Sequence, residues 1–129
     1  MKKYSSFENN VLDYFDLRLK EKIKGKVVVK YSAYNTDSKG VPINNLDQVV
    51  FKGSIKFYHE WDSKLFEAMR IKGSRTYVSD TVTDPTYLDV CKLANDMLKE
   101  TGNKHHVFLE EIVIDRGMFS SKGHFIMGS

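Results

Sequence analysis

The sequence predicts an α+β fold: an antiparallel sheet of about four to five strands, an N-terminal helix, and a second helix before the last strand. Three observations carry this. Apolar residues recur at helical spacing over residues 5–24 and again after Pro85. Residues 26–34 and 48–58 alternate apolar with polar, the period of a strand with one buried face. Residues 105–114 are mainly apolar on both alternate faces, as in a strand buried on both sides.

The first helix opens at Ser5, which with Glu8 has the spacing of a capping box. Phe7, Val11, Leu12, Phe15 and Leu19 form its apolar stripe, and Asp16 and Lys20 pair outside it. Lys20, Lys22 and Lys24 crowd the last turn, where the helix dipole favours cations, and Gly25 ends it. Lys26–Tyr34 reads as a strand, followed by a polar loop over residues 35–45 that contains Gly40 and Pro42. In residues 48–58, Val49, Phe51, Ile55 and Phe57 point one way, and Gly53 on the same face marks a bend or bulge. The two strands are expected to form one long hairpin. Its polar face would carry Lys30, Ser32, Tyr34, Lys52, Ser54, Lys56 and Tyr58. Lysines and hydroxyls among aromatics suit a solvated sheet face, and they also suit phosphate contact and base stacking.

Trp61, in the turn at residues 59–62, reads as a packing anchor. Residues 64–72 fit a strand or a helical turn. Gly73-Ser74 is a two-residue hairpin signal, so a hairpin joining 64–72 to 75–82 is the reading adopted. Asp84 then reads as N-cap of the second helix, with Pro85 at its first position. Tyr87, Val90, Cys91, Ala94, Met97 and Leu98 share its apolar side, Lys92 and Asp96 pair outside, and Gly102 stops it. In the strand that follows, each face holds one glutamate, Glu110 and Glu111. Either a bulge turns both outward, or one of them serves a site. Residues 117–129 include Met118, Phe119, Phe125, Ile126 and Met127. They are too apolar for a free tail and are expected to dock on their own domain or on a neighbouring subunit.

The 129 residues fit one domain, 1–129. One cysteine allows no intrachain disulfide and favours a reducing compartment. Cys91 lies on the apolar helix face, where nothing would activate it. A net charge of +3 is too small to imply nucleic acid, which stays possible but not favoured. The start, MKKYSSFENN, has no apolar h-region, and no stretch approaches the ~20 apolar residues of a membrane span. The expected location is cytoplasmic. His105, His106, Glu110, Glu111 and Asp115 cluster in sequence. On a strand, however, His106 and Glu110 stand about 13 Å apart, and ligands of one zinc lie about 2 Å from it. No metal and no cofactor is expected. There is no nucleophile elbow, P-loop, HExxH or CxxC, so no catalytic residue is named and an enzyme is not expected. Binding remains. The candidate ligand-binding residues are Arg75 and Arg116 for an anion, with Tyr87, Asn95, His105 and His106 near the helix–turn–strand junction to stack on and read a base.

The runs TYLDVCKLANDML (86–98) and TGNKHHVFLEE (101–111) resemble a segment of small proteins from large tailed phages, in which a TG-x-x-HH-x-F-L-E core follows an amphipathic helix. The resemblance implies a phage-encoded, non-catalytic protein that acts on its host from the cytoplasm of the infected cell. Such proteins include sponges that sequester nucleotide immune signals, among them the cyclic ADP-ribose sponges that block Thoeris defence. These are similar in size, oligomeric and non-enzymatic. A sponge implies a homo-oligomer whose pocket joins Arg or Lys to an aromatic. The alternative is a modulator that binds a host protein of the transcription or nucleic-acid machinery, which implies a flat patch on the lysine-rich sheet face or the tail.

Overall fold

The sheet has its strands in the order β1-β5-β6-β2-β3, with β4 also paired to β2. In chain order the elements are a helix over 17–22 (α1), β1 (Lys30–Thr36), β2 (Ser54–Glu60), α2 (Ser63–Ala68), β3 (Thr76–Val78), β4 (Val82–Thr83), α3 (Tyr87–Thr101), β5 (Phe108–Arg116) and β6 (Ser121–Gly128). The computed structural model describes residues 15, 17–36, 43, 45–118 and 120–128. The Ser5–Glu8 cap, Phe7, Val11, Leu12, Asp16, Gly40, Pro42, Phe119 and the side chains of Ser32 and Tyr34 lie outside the described ones. Among the described residues no helix is long and apolar enough to cross a membrane.

The class is α+β, and most of the strand pairings are antiparallel, but the sheet is mixed. β1 runs parallel to β5, and β2 runs parallel to β6. The expected hairpin between residues 26–34 and 48–58 does not form, because β5 and β6 lie between β1 and β2. Alternation says which face of a strand is buried and leaves its neighbour open. Both strands are also shorter than expected. Residues 26–29 are an extended lead-in clamped by Asn95, and Phe51 is buried ahead of β2. Residues 64–72 are not a hairpin strand. Asp62 Oδ1 accepts from Leu65 N at 3.0 Å and caps α2, and Arg70 leaves the helix at φ 53°. β3 therefore reaches β2 by way of a helical turn.

α3 begins two residues later than Asp84 predicts. Thr86 is the cap: its hydroxyl accepts from Asp89 N at 3.2 Å, and Asp89 Oδ2 accepts from Thr86 N at 2.9 Å. Asp84 instead turns to the bend before β2, where its Oδ1 accepts from Gly53 N at 2.7 Å. Gly102 ends α3 at φ 77°, a left-handed conformation that glycine adopts without steric cost. All six residues of the predicted stripe of α3 are buried.

α1 and α3 cover one face of the sheet. Phe15, Leu19 and Ile23 meet the α3 stripe, and beneath them lie Ile55, Phe57, Leu109, Ile112 and Phe125. Phe57 and Phe125 stack with ring centres 5.3 Å apart and planes 7° apart. Gly123 makes this possible, because a Cβ there would stand 2.5 Å from the Phe57 ring. Burying a Phe of this kind contributes about 1.5–3 kcal/mol. In β5 the register with β6 slips between Leu109 and Glu111, leaving Glu110 as the extra residue of a bulge. The slip lets Leu109 and Ile112 both reach the core. Residues 121–128 of the apolar tail form β6, between β5 and β2.

Candidate functional site

The opposite face of the sheet has no helix over it among the described residues. Pairing fixes what stands there, since partners directly opposite share a face. One transverse row runs Val78, Tyr58, His124, Val113 across four strands. Two residues away, about 7 Å along the strands, a second row runs Lys56, Lys122, Asp115. On the other side stand Thr76 paired with Glu60, and Ile126 paired with Glu111. Aromatic groups thus occupy the middle, lysines one margin and glutamates the other.

Local contacts hold this row. Tyr58 and His124 rings lie 6.1 Å apart, and Lys122 Nζ stands 5.4 Å from the Tyr58 ring centre. His124 Nε2 is 3.3 Å from Asp115 Oδ2, an exposed contact worth little to stability. Beside Lys56 a hollow of about 220 Å³ is lined by Ser54, Ile55, Tyr58, Thr81, Ser120 and Ser121, four of which carry hydroxyls on short side chains. Lysines, hydroxyl donors and two stackable rings on one surface can hold an anion attached to an aromatic group.

The residues named from sequence do not converge. Asn95 is fully buried and structural: its Oδ1 accepts from Val28 N at 2.6 Å and Val29 N at 3.0 Å, and its Nδ2 donates to Lys26 O at 3.0 Å. Tyr87 is buried edge-on to Phe15, with ring centres 6.5 Å apart. Arg75 donates to Glu60 Oε1 at 2.9 Å and to the Trp61 carbonyl at 3.3 Å, tying β3 to the end of β2. Arg116 lies at the far end of β5, 4.9 Å from the Phe51 ring centre. His105 is exposed and His106 half-buried, and both of their amides donate to Asn103 Oδ1. The Thr-Gly-x-x-His-His run is therefore a turn, with Gly102 and the buried Asn103 as its working parts.

Lys122 and His124 were missed because SSKGH looks like a glycine-broken tail. The signal that exposes them is the alternation of Lys122, His124, Ile126 with Gly123, Phe125, Met127. Cys91 is fully buried, and burial pushes its thiol up to about 12 although a Tyr87 hydrogen bond works the other way. His59 is shifted down by burial, partly offset by its bond to the Phe125 carbonyl. Among the described residues no group of three His, Cys, Asp or Glu is placed to hold a metal ion. No family model, curated protein or solved structure was found to match the chain.

Proposed function

We propose that this chain is a non-catalytic binding protein for an anionic nucleotide-type ligand, held on the open face of the sheet. The observation that carries the reading is the Tyr58–His124 row with Lys56 and Lys122 two residues away on the same face. The base stacks on the rings, and the phosphate meets the lysines and the neighbouring hydroxyls. Glu60 and Glu111 on the other margin disfavour a continuing phosphate backbone. The surface therefore fits a mononucleotide or small cyclic nucleotide better than a polynucleotide strand. With the phage resemblance, the biological role is sequestration of a host defence signal by a homo-oligomer.

Calorimetric titration with a nucleotide panel tests this, with subunit number read by native mass spectrometry. Saturable binding that falls at least tenfold in Tyr58→Ala and in Lys122→Glu is the expected result. Absence of binding across the panel sinks the reading. A second reading has its own observation: Val78 is 55% and Ile126 42% exposed on the same face. Such exposed aliphatics suit docking of a host protein. Under that reading Val78→Asp abolishes capture of the partner, and nucleotides do not compete.

A further inference from the structure

Lysines collect on the helical side of the molecule, where the end of α1 runs beside α3. Lys22, Ile23 and Lys24 line one side of a hollow of about 270 Å³, and Lys92 and Asp96 of α3 line the other. The extended chain then carries Lys26 past Asn95, whose Nδ2 donates to the Lys26 carbonyl at 3.0 Å. Gly25 lies against Lys99, since a Cβ there would stand 3.8 Å from the Lys99 Nζ. Lys22, Lys24, Lys26, Lys92 and Lys99 thus form one ridge along the two helices, and all five are exposed.

The chain does not neutralise this ridge. None of the five lysines forms an ion pair among the described residues, and Lys92 and Asp96, four apart on α3, do not close on each other. The reason is in the winding of α3. Lys92 and Lys99 lie within about 20° of each other around its axis, and Asp96 and Glu100 follow at about 40° and 80° from Lys92. The acids lean toward β3: the Tyr77 phenol there is pushed up by burial first, and then by the charges of Asp96, Glu100 and Asp80. α3 therefore separates its charges, with lysines toward α1 and carboxylates toward β3. The net charge of +3 hides this separation. The dipole of α1 accounts for a cation at Lys22, but not for Lys26 beyond the helix or Lys92 in the first half of α3.

We propose that this ridge takes the phosphate backbone of duplex nucleic acid. Five exposed cations exceed what one phosphate group neutralises, and they suit a row of phosphates. Lysine is a hydrated point charge that meets phosphate without a fixed geometry, whereas carboxylates of a protein partner are matched better by the arginine fork. The one arginine described in α1, Arg18, is engaged by Glu21 at 3.3 Å. No aromatic side chain lines the hollow, so it offers no platform for unpaired bases. Contact is then with the backbone and independent of sequence. The ridge belongs to the helices that cover one face of the sheet, and the proposed nucleotide surface is the other face, so neither reading depends on the other.

Fluorescence anisotropy of the full chain with labelled duplexes of two unrelated sequences tests this. Both duplexes should bind equally well at low salt. Affinity should fall as salt rises, with a log–log slope of about −3 if Lys22, Lys24 and Lys92 each neutralise one phosphate. The pair Lys22→Glu with Lys24→Glu, and Lys92→Glu alone, should each weaken the duplex at least tenfold with unchanged circular dichroism. Where a charge reversal does not fold, the Gln variants at the same positions carry the test through a shallower salt slope. Lys122→Glu alters the net charge as much as Lys92→Glu but on the other face, and should weaken the duplex far less. Absence of salt-dependent duplex binding, full affinity in Lys22→Glu with Lys24→Glu, or an equal loss in Lys122→Glu overturns the proposal. So does binding of poly-glutamate, a single strand or phosphatidylserine vesicles as tightly as the duplex, which would give the ridge to an acidic protein, an unpaired strand or a membrane surface.

Discussion

The two faces of the β2–β6 pair are built from alternate residues of the same two strands, yet they do different work. On the covered face Ile55, Phe57, Gly123 and Phe125 close against the helices. On the open face Lys56, Tyr58, Lys122 and His124 meet solvent at the same positions along the strands, each one residue out of phase with its buried neighbour. The covered face sets how stable the pair is. On the proposed reading the open face supplies chemical specificity and contributes little to folding. A strand pair in the middle of a sheet can combine these tasks because its side-chain period is two.

The sharpest way to test that division is to compare neighbours. Phe57→Ala removes a fully buried ring from the Phe125 stack and should cost about 3–5 kcal/mol in denaturant unfolding. Tyr58→Ala, one residue on, should cost well under half as much while abolishing nucleotide binding. Equal losses of stability in the two variants would mean that the open face is structural after all. Asn95→Ala comes next. It strips the partner from Val28 N, Val29 N and Lys26 O, and a cost of about 1–3 kcal/mol is expected. Because Asn95 lies on the buried side of α3, the helix that packs on the covered face of the sheet, nucleotide affinity of the folded variant should be unchanged. Reduced affinity in a variant with intact circular dichroism would return Asn95 to the binding site.

How much of this is readable in the sequence depends on the distance over which each feature is specified. The stripe of α3 is local, and Tyr87, Val90, Cys91, Ala94, Met97 and Leu98 all lie where 3.6-residue spacing places them. The cap was misread by two residues because Asp84 is claimed by Gly53, about thirty positions away in the chain, and no local rule shows that. The strands were recognisable by period, and the bulge at Glu110 was one of the two readings open to the paired glutamates. Partner choice was not recognisable. Lys56 and Tyr58 stood out as one half of a polar face, but their other half, Lys122 and His124, arrives through a parallel pairing more than sixty residues later. Asn95 and Tyr87 looked like binding residues because their types are suited to recognition. Burial assigns them to the core instead.

A smaller effect tests the covered face through pH. Burial holds His59 below its ordinary value of 6.5, with the Phe125 carbonyl opposing and the nearby His124 adding to the shift. The unfolded chain therefore takes up a proton at higher pH than the folded one. The sign follows from linkage: stability is full above about pH 6.5 and is lost as pH falls from there through the depressed value. Urea midpoints measured at pH 7.5 and pH 5.5 should differ, and the difference should shrink in His59→Phe, which cannot titrate. An unchanged difference would place the acid sensitivity outside His59.

The smallest effect on stability is expected at Lys122, and it is the one that separates the two readings of the open face. Lys122→Gln loses only an exposed contact with the Tyr58 ring, worth about 0.5–1 kcal/mol at most. Its effect should appear instead in the salt dependence of binding. Exposed lysines act on an anion through a field screened over about 8–10 Å at ordinary ionic strength. Nucleotide affinity of the parent chain should therefore fall as salt is raised, and the slope should be shallower in Lys122→Gln. A partner seated on Val78 and Ile126 by apolar contact would bind with little salt dependence and would respond to Val78→Asp rather than to Lys122→Gln. The two slopes, measured on one protein, say which margin of the row the ligand leans on.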